Sequence, residues 1–585
     1  MKNSLLFFAI PLAFLTDFAN SAIISTSLGQ IDGFQVGEFH LFKNIPFAKP
    51  PLGKLRFQKP ERAEKWKGVR DAKEYGPACM SNSTITSSPQ KWIDEDCLQL
   101  NVFTSNKCLK SQDCGVVFYI HGGALNYDSA VMFNDTYLLG TFVNQDVILV
   151  IPAFRLGIFS HFVVEDQSIA PNNLALYDIL LSLEFVKADI HNFGGSNRKV
   201  TIMGHSYGGA ITSMLSFSTK INTDLSLFQR AISMSSAHDA NTLADQVNRT
   251  LTFARRAKCL LPKPIARKMS QGQQDKYMMK CLQNIDSFEL LRIQRSLEEE
   301  GYPDLKALII REPLFQEGPY SKFMDYPKKI PMLTGCTRYE MDHSPDFKPI
   351  AEALPFANPK EVEMKYRKDW REGNYDFGNH SDETQAIFIQ TRERVNKLLS
   401  KGIATYLYEY TYPKHARHTD DLFYIMGVHR FDKDENEKQL ARVYEKIFMN
   451  FAKFGEPGEG FELASIENST YFEVYWNETS GERPHMKAHF EQNIIDYWYK
   501  DMVEYDRNVT AAKNSLLKKQ ASPRVYKESI EYQYPYMYFS VLMISLIFLS
   551  GCIVGRCCCA KEPSERNLYI RLDGNDHAYH AVKDF

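Results

Sequence analysis

The stretch Val200–Ala210, Val-Thr-Ile-Met-Gly-His-Ser-Tyr-Gly-Gly-Ala, constrains the fold of this chain more than any other. Its first four residues are apolar or β-branched, which is typical of a short buried strand. The apolar residues from 210 to 217 predict a packed helix. Between them lies Ser206, with a glycine two positions to each side, where a side chain would collide with the facing strand or helix. The stretch therefore predicts a sharp strand-to-helix turn around a serine in a strained conformation.

A Gly-x-Ser-x-Gly turn between a strand and a helix is typical of a nucleophile elbow, which presents a reactive serine at the carboxyl edge of a sheet. An ordinary glycine turn is the alternative, and the five residues alone do not exclude it. Only the partners of Ser206 can decide between the two.

Strands and helices alternate along the chain, which predicts an α/β fold with a mostly parallel central sheet flanked by helices and with ligands at the carboxyl ends of the strands. Asn173 is a candidate N-cap for the helix that follows it. A second helical pattern, Gln439–Phe454, ends at Gly455. Predicted strands are Val116–Ile120, Val147–Pro152, Ile330–Gly335 and Thr405–Thr411.

The composition excludes some classes of partner. The 585 residues carry a formal net charge of −2, so there is no basic footprint and nucleic acid is not an expected partner. No metal-ligand cluster and no phosphate-binding loop is recognisable in the sequence, so neither a metal ion nor a cofactor is expected.

The two ends of the chain predict a type I membrane protein. A basic start and an apolar run within residues 1–22 are typical of a secretory signal peptide. Residues 536–555 carry no charge and suffice for about 30 Å of helix, so they predict a transmembrane helix, with a buried core helix as the alternative. Residues 511–535 then form a stalk and residues 556–585 a cytoplasmic tail.

The tail carries two short signals. Cys557, Cys558 and Cys559 lie at the inner membrane face, where S-palmitoylation is one expectation and unmodified thiols the other. Tyr569-Ile-Arg-Leu572 resembles a tyrosine-based sorting signal, although four-residue patterns also arise by chance. The predicted location is therefore the cell surface or an endosomal or lysosome-related membrane.

Cysteines and sequons agree with a lumenal main domain. Of eleven cysteines, seven precede the predicted span, and six of these form sequence-near pairs, while Cys336 is left over. Spacing alone does not fix connectivity, but the near pairs predict three disulfides: Cys79–Cys97, Cys108–Cys114 and Cys259–Cys281. Seven N-x-S/T sequons are all lumenal and are candidate glycosylation sites: Asn82, Asn134, Asn248, Asn379, Asn468, Asn477 and Asn508.

From about residue 23 to residue 505 the chain resembles the type B carboxylesterases, α/β-hydrolases that include cholinesterases and the catalytically silent neuroligin-like adhesion proteins. We place the boundary of this domain at residue 510. The motifs that carry the resemblance occur in the order of the family: Phe47-Ala-Lys-Pro-Pro51, Glu95-Asp-Cys-Leu98, His121-Gly-Gly123, Arg155-Leu-Gly157, Phe193-Gly-Gly195, Gly204-His-Ser-Tyr-Gly208 and Asn450-Phe-Ala-Lys453.

The resemblance implies a catalytic triad in the order nucleophile, acid, histidine. Ser206 is the nucleophile. Glu340 follows a predicted strand and a glycine at the family's spacing and is the implied acid, with Asp342 as the fallback. His418, in His418-Thr-Asp-Asp-Leu-Phe-Tyr424, matches the pattern of the family's histidine, whereas His415 and His429 lack these neighbours.

The resemblance also implies an oxyanion hole formed by the backbone N–H groups of Gly122, Gly123 and Tyr207. The chain departs from the family at three positions. Family members usually carry glutamate where this chain has His205, alanine at Tyr207 and glycine at Met341.

A complete triad predicts a serine carboxylic ester hydrolase that acts on small-molecule esters through an acyl-enzyme. An acyltransferase with an alcohol or sugar acceptor is the first alternative, and a neuroligin-like adhesion protein is the second. A cholinesterase is not expected, because Trp92 lies too close to Cys97 to match the tryptophan that binds quaternary ammonium in that subgroup.

Overall fold

The computed structural model describes residues 20–81, 92–237, 242–302, 308–316, 320–343, 349–352 and 354–521. Its strands are β1 Asn20–Ser25, β2 Gln30–Val36, β3 Phe39–Pro46, β4 Val69–Asp71, β5 Ala78–Cys79, β6 Ile93–Asp94, β7 Gln99–Ser105, β8 Cys114–Ile120, β9 Val147–Pro152, β10 Gly195–His205, β11 Arg230–Met234, β12 Met332–Thr337, β13 Thr405–Tyr410, β14 Tyr471–Val474 and β15 His485–Lys487.

Helices connect these strands. They are α1 Asn106–Ser111, α2 Asp135–Thr141, α3 Gly157–His161, α4 Leu174–Asp189, α5 Tyr207–Phe217, α6 Leu243–Arg256, α7 Lys263–Ala266, α8 Gln271–Gln283, α9 Ser287–Glu299, α10 Tyr320–Phe323, α11 Pro359–Glu372, α12 Asp382–Leu399, α13 Leu422–Met426, α14 Glu435–Phe454, α15 Gln492–Asp496 and α16 Met502–Ala521.

Most described strands form one sheet in the order β1-β2-β3-β7-β9-β8-β10-β11-β12-β13-β14-β15. The run from β9 through β14 is parallel, while the first strands and β15 pair antiparallel. All residues of β8, β9, β12 and β13 are buried. Burial on both faces explains the nearly continuous apolar sequence of β8 and β9, whereas β12 and β13 also bury polar side chains. This is the predicted α/β architecture.

Helices cover this sheet and enclose the core. α5 packs against β10 and β11, α14 against β8 and β10, and α12 against β12 and β13. A second apolar cluster joins α11, α12 and α15, and a third joins α3, α6, α8 and α9. The long excursion between β11 and β12 carries α6–α10.

Several predicted bounds and one predicted cap differ from the structure. The helix predicted at Gln439–Phe454 begins at Glu435, where Asp434 is its N-cap, and the strand predicted at Thr405–Thr411 ends at Tyr410. The strand expected at Ile330–Gly335 is β12, Met332–Thr337; Pro331, which has no N–H for the ladder, precedes it. Asn173 does occupy the N-cap position of α4, but its φ is 61° and its side chain makes no cap hydrogen bond. Its amide instead donates to the carbonyl of Ile309 and accepts from the N–H of the same residue, both at 2.8 Å.

The chain divides into two compact units at Val509. Of the second unit the structure describes residues 510–521, which belong to α16. Among the residues that the structure describes, no helix is both long and apolar enough to span a bilayer. The predicted transmembrane helix at 536–555, the cytoplasmic tail, residues 1–19 of the predicted signal peptide and residues 522–535 of the predicted stalk lie outside the described residues.

Candidate active site

The predicted turn around Ser206 has the geometry of a nucleophile elbow. Ser206 lies between β10 and α5 with φ 57° and ψ −126°, and its N–H donates to the carbonyl of Met234 at 3.0 Å. A Cβ on Gly204 would lie 2.2 Å from the backbone of Gly208, and one on Gly208 would lie 2.1 Å from the carbonyl oxygen of Ile120. Both glycines are therefore required by close backbone contacts, as the sequence predicts.

Ser206, His418 and Glu340 are joined by hydrogen bonds. His418 Nε2 lies 2.8 Å from Ser206 Oγ, and His418 Nδ1 lies 2.5 Å from Glu340 Oε2. Because a carboxylate only accepts, Nδ1 carries the proton and Nε2 accepts from the serine hydroxyl. Glu340 is buried, whereas the His418 side chain is 20% exposed and Ser206 is half-buried. The reactive end of the chain of hydrogen bonds thus faces an accessible space.

The order of the strands explains this convergence. β10, β12 and β13 are parallel and, with β11, adjacent in the sheet, so their carboxyl ends meet at one edge. Ser206, Glu340 and His418 each follow one of these strands. The carbonyl of Glu340 accepts from the backbone N–H of His418 at 2.9 Å, which ties the two loops together. Glu340 Oε1 also accepts from the N–H of Thr337 at 2.8 Å.

The alternative residues lie elsewhere. Asp342 bonds to His380, with Oδ2 2.9 Å from Nδ1. His415 pairs with Glu437 at 2.5 Å, and His429 has no hydrogen bond to Ser206 or Glu340 among the described contacts. Met341, which replaces the usual glycine, donates from its backbone to Thr384 at 2.8 Å and does not draw Glu340 away from His418.

The loop after β8 carries the predicted oxyanion donors next to Ser206. A Cβ on Gly122 would lie 3.2 Å from Ser206 Cβ. Gly123 and Ala124 follow with φ of 82° and 52°. Within the described part of the chain, the N–H groups of these three residues have no hydrogen-bond acceptor. Ala124, whose N–H has no acceptor among the described residues, is a candidate oxyanion donor that the sequence analysis missed, because its left-handed conformation leaves no local signal.

His121 orients this loop. Its ring is buried, stacks on Phe154 at 4.2 Å between centroids, and lies with Nδ1 3.1 Å from the carbonyl oxygen of Gly122. Burial lowers the pKa of His121 to about 4, so the ring is neutral and donates to that carbonyl. Because the peptide between Gly122 and Gly123 is trans, the N–H of Gly123 points in the direction opposite to the Gly122 carbonyl and therefore away from the His121 ring.

Tyr207 begins α5, so its backbone N–H lies in the first helical turn, next to the nucleophile. Its side chain is half-buried, and the hydroxyl accepts from the N–H of Leu308 at 3.3 Å. The ring that replaces the usual alanine therefore connects the elbow to the segment around Leu308.

The second missed residue is His205, whose only sequence signal is its departure from the family's glutamate. It is 1% exposed, and its Nε2 lies 2.6 Å from the backbone carbonyl of His418. Burial, together with the neighbouring imidazole of His418, holds the pKa of His205 well below its usual range. A neutral imidazole therefore contacts the main chain of His418.

All three predicted cysteine pairs are disulfide-bonded in the structure, and Cys336 is a buried free thiol. One sequon asparagine, Asn477, is half-buried. Five others are exposed: Asn134, Asn248, Asn379, Asn468 and Asn508. Asn82 lies outside the described residues. Within the described ranges no group of three or more His, Cys, Asp or Glu side chains is arranged to hold a metal ion.

The parallel sheet, the strained serine and the Ser–His–Glu arrangement define an α/β-hydrolase of the serine esterase type. The chain belongs to the carboxylesterase family, whose model matches residues 20–376 and 383–506. It is 28% identical to the esterase cest-33 of Caenorhabditis elegans over 72% of this chain and 82% of that protein.

Two further relatives bear on the comparison. Liver carboxylesterase 1 of Mus musculus is 28% identical over 72% of this chain and 82% of its own length. Acetylcholinesterase of Bungarus fasciatus is 35% identical over 39% of each chain. These findings confirm the predicted family and the predicted class of enzyme, a carboxylic ester hydrolase.

Proposed function

We propose that this protein hydrolyses carboxylic esters through an acyl-enzyme on Ser206, with His418 as general base and Glu340 as the group that orients the histidine. One observation carries the proposal: the continuous path from Ser206 Oγ through both ring nitrogens of His418 to the buried carboxylate of Glu340. Of the histidines in the described residues, His418 alone bonds to both Ser206 and a carboxylate.

The first half of the reaction forms the acyl-enzyme. His418 Nε2 takes the proton of Ser206 while Oγ attacks the ester carbonyl, and Glu340 stabilises the imidazolium that forms. We propose the N–H groups of Gly122, Gly123 and Tyr207, with that of Ala124, as the donors to the tetrahedral oxyanion. Loss of one such donor typically costs about 3 kcal/mol in the barrier. The imidazolium then protonates the departing alcohol.

In the second half, water attacks the acyl-enzyme by the same route, with His418 again as base, and the carboxylic acid leaves. An alcohol or sugar in place of water would make the protein an acyltransferase. Incubation of an ester with an alcohol acceptor, followed by separation of the products, distinguishes the two: free acid supports hydrolysis, and a predominant new ester supports transfer.

The proposal is tested by labelling with a fluorophosphonate and by hydrolysis of 4-nitrophenyl butyrate. The wild-type protein should be labelled and active, and Ser206→Ala should be neither. Ser226→Ala is the matched control, because this serine is half-buried in a different loop, where its hydroxyl donates to Asp224 at 2.7 Å. A folded wild-type protein that is neither labelled nor active would contradict the proposal and favour the adhesion alternative.

We further propose that the protein is a glycosylated, single-pass type I membrane protein of the cell surface or of an endosomal or lysosome-related organelle. The proposal is supported by the apolar segments at both ends of the sequence, by exposed sequon asparagines and by three disulfides, which form in oxidising compartments. Membrane extraction at alkaline pH and glycosidase digestion test it. Release of the full-length protein by alkali would contradict the anchor.

A further inference from the structure

The main chain of His418 is bound as firmly as its ring. Its N–H donates to the carbonyl of Glu340 at 2.9 Å, and its carbonyl accepts from His205 at 2.6 Å. Since a carbonyl oxygen can only accept, His205 must carry its proton on Nε2. With the two ring contacts, all four polar atoms of His418 have a partner.

His205 is placed for this contact by the elbow itself. It is the last residue of β10, immediately before Ser206, and its ring centroid lies 4.9 Å from that of His418. The same residue thus connects the strand that carries the nucleophile to the loop that carries the base. The two histidines are 213 residues apart in the chain.

The surroundings keep His205 uncharged. Its titratable neighbours are His418 and His429, whose positive forms disfavour a further proton, and Asp421, with Oδ1 3.9 Å from Nε2. Burial and the nearby charge of Glu340 raise the pKa of Asp421 well above its usual range. The charge of Asp420 raises the pKa of Asp421 further.

Among the hydrogen bonds of the described residues, His205 is the side-chain donor to the His418 carbonyl. Asp421 Oδ1 is buried and has no hydrogen-bond partner there, while Oδ2 accepts from Tyr444 at 3.2 Å and from Tyr408 at 3.5 Å. The His418 carbonyl therefore has His205 Nε2 as its side-chain donor, at 2.6 Å. A residue at 205 without an N–H would remove this donor from the His418 carbonyl.

We propose that His205 is a positioning residue for the base: by donating from Nε2 to the His418 carbonyl, it holds the loop so that His418 Nε2 stays within reach of Ser206 Oγ. The inference rests on the proposed esterase activity and deepens it. His205 touches neither substrate nor the reacting atoms, so it acts on the rate of the chemical steps and not on the binding of the ester.

Three variants separate this role from simple packing. His205→Gln keeps an amide donor near the position of Nε2, and His205→Met has similar length and no donor. His205→Asn keeps an amide but ends about one methylene short. For each, kcat and KM are measured with 4-nitrophenyl butyrate, the active fraction is titrated with a fluorophosphonate, and thermal unfolding is followed by circular dichroism.

We expect kcat of His205→Met to fall about tenfold or more with KM within about twofold of wild type, because one net hydrogen bond is lost at a site where small displacements reduce the rate. His205→Gln should recover kcat to within about threefold. If His205→Met does not fold, His205→Asn takes its place, with the same expected loss.

The inference is overturned if His205→Met, or Asn in its place, has the wild-type kcat, or if His205→Gln is as slow as the variant without the contact. A fall in kcat that only follows the loss of folded protein also overturns it. These outcomes are distinct from failure of the proposed function, in which the wild-type protein itself is neither labelled nor active.

Discussion

Glu340→Gln keeps the shape of the side chain and removes its charge, so it tests the proton relay at a single atom. In the structure Glu340 accepts at both oxygens: Oε2 lies 2.5 Å from His418 Nδ1, and Oε1 lies 2.8 Å from the N–H of Thr337. A glutamine has one accepting and one donating end. One of the two contacts must therefore change.

If the amide oxygen faces Thr337, the NH₂ group faces Nδ1 and forces the ring proton onto Nε2, which can then no longer accept from Ser206. If the amide is reversed, two donors meet at Thr337 in a buried place. Because the first arrangement costs less, the wrong tautomer should dominate. A triad with that tautomer loses about 10⁴ in kcat, or about 5 kcal/mol.

The assay is kcat on 4-nitrophenyl butyrate, with thermal unfolding as the check for folding. Asp342→Asn is the matched control: it makes the same chemical change two residues away, on a carboxylate bonded to His380 at 2.9 Å, and kcat should stay within about threefold of wild type. A Glu340→Gln variant within tenfold of wild type, or a larger loss in Asp342→Asn, would refute the assigned role of Glu340.

Two further changes test stability. Asp178→Asn should lower the free energy of unfolding by about 3–5 kcal/mol, because the Arg155 side chain is 3% exposed and would lose its charged partner. The control is the more exposed pair of Asp113 with Lys199, where Asp113→Asn should lower the free energy of unfolding in urea by at most about 1 kcal/mol. Equal losses in the two variants would contradict the argument. Burial raises the pKa of Asp128 to about 7. Because the pKa of this carboxyl in the unfolded chain is about 4, its ionisation lowers the stability of the folded protein as the pH rises from about 4 to about 7. Asp128→Asn should therefore have a higher Tm than the wild-type protein at pH 8, and the difference in Tm should be smaller at pH 5. A difference in Tm that does not depend on pH would show that this carboxyl does not titrate as described.

The residues of the proposed active site could be predicted because each lies in a short sequence motif. The glycines around Ser206 are required by backbone contacts of 2.1–2.2 Å, and no other residue type fits. Glu340 and His418 were implied by motifs of the family, and the parallel order of β10, β11, β12 and β13 explains why the ends of their strands meet at one edge of the sheet.

The parts that escaped prediction depend on contacts between distant segments. Asn173 looks like a helix cap in its own sequence, yet its amide binds Ile309, 136 residues away. The contact of His205 with the His418 carbonyl is of the same kind. A local pattern states what a side chain can donate or accept, and only the fold decides which partner it meets.

The distances along the chain between these neighbours also bear on biosynthesis. β11 and β12 are adjacent in the sheet, yet the hydrogen bond from Thr334 to Ser233 closes a separation of 101 residues, and Ser206 is made 212 residues before His418. During synthesis on the ribosome, the contact between Ser206 and His418 can therefore form only after most of the domain has been made. A chain that ends before residue 418 would contain Ser206 without its proposed base. Such truncated chains should therefore show no detectable esterase activity.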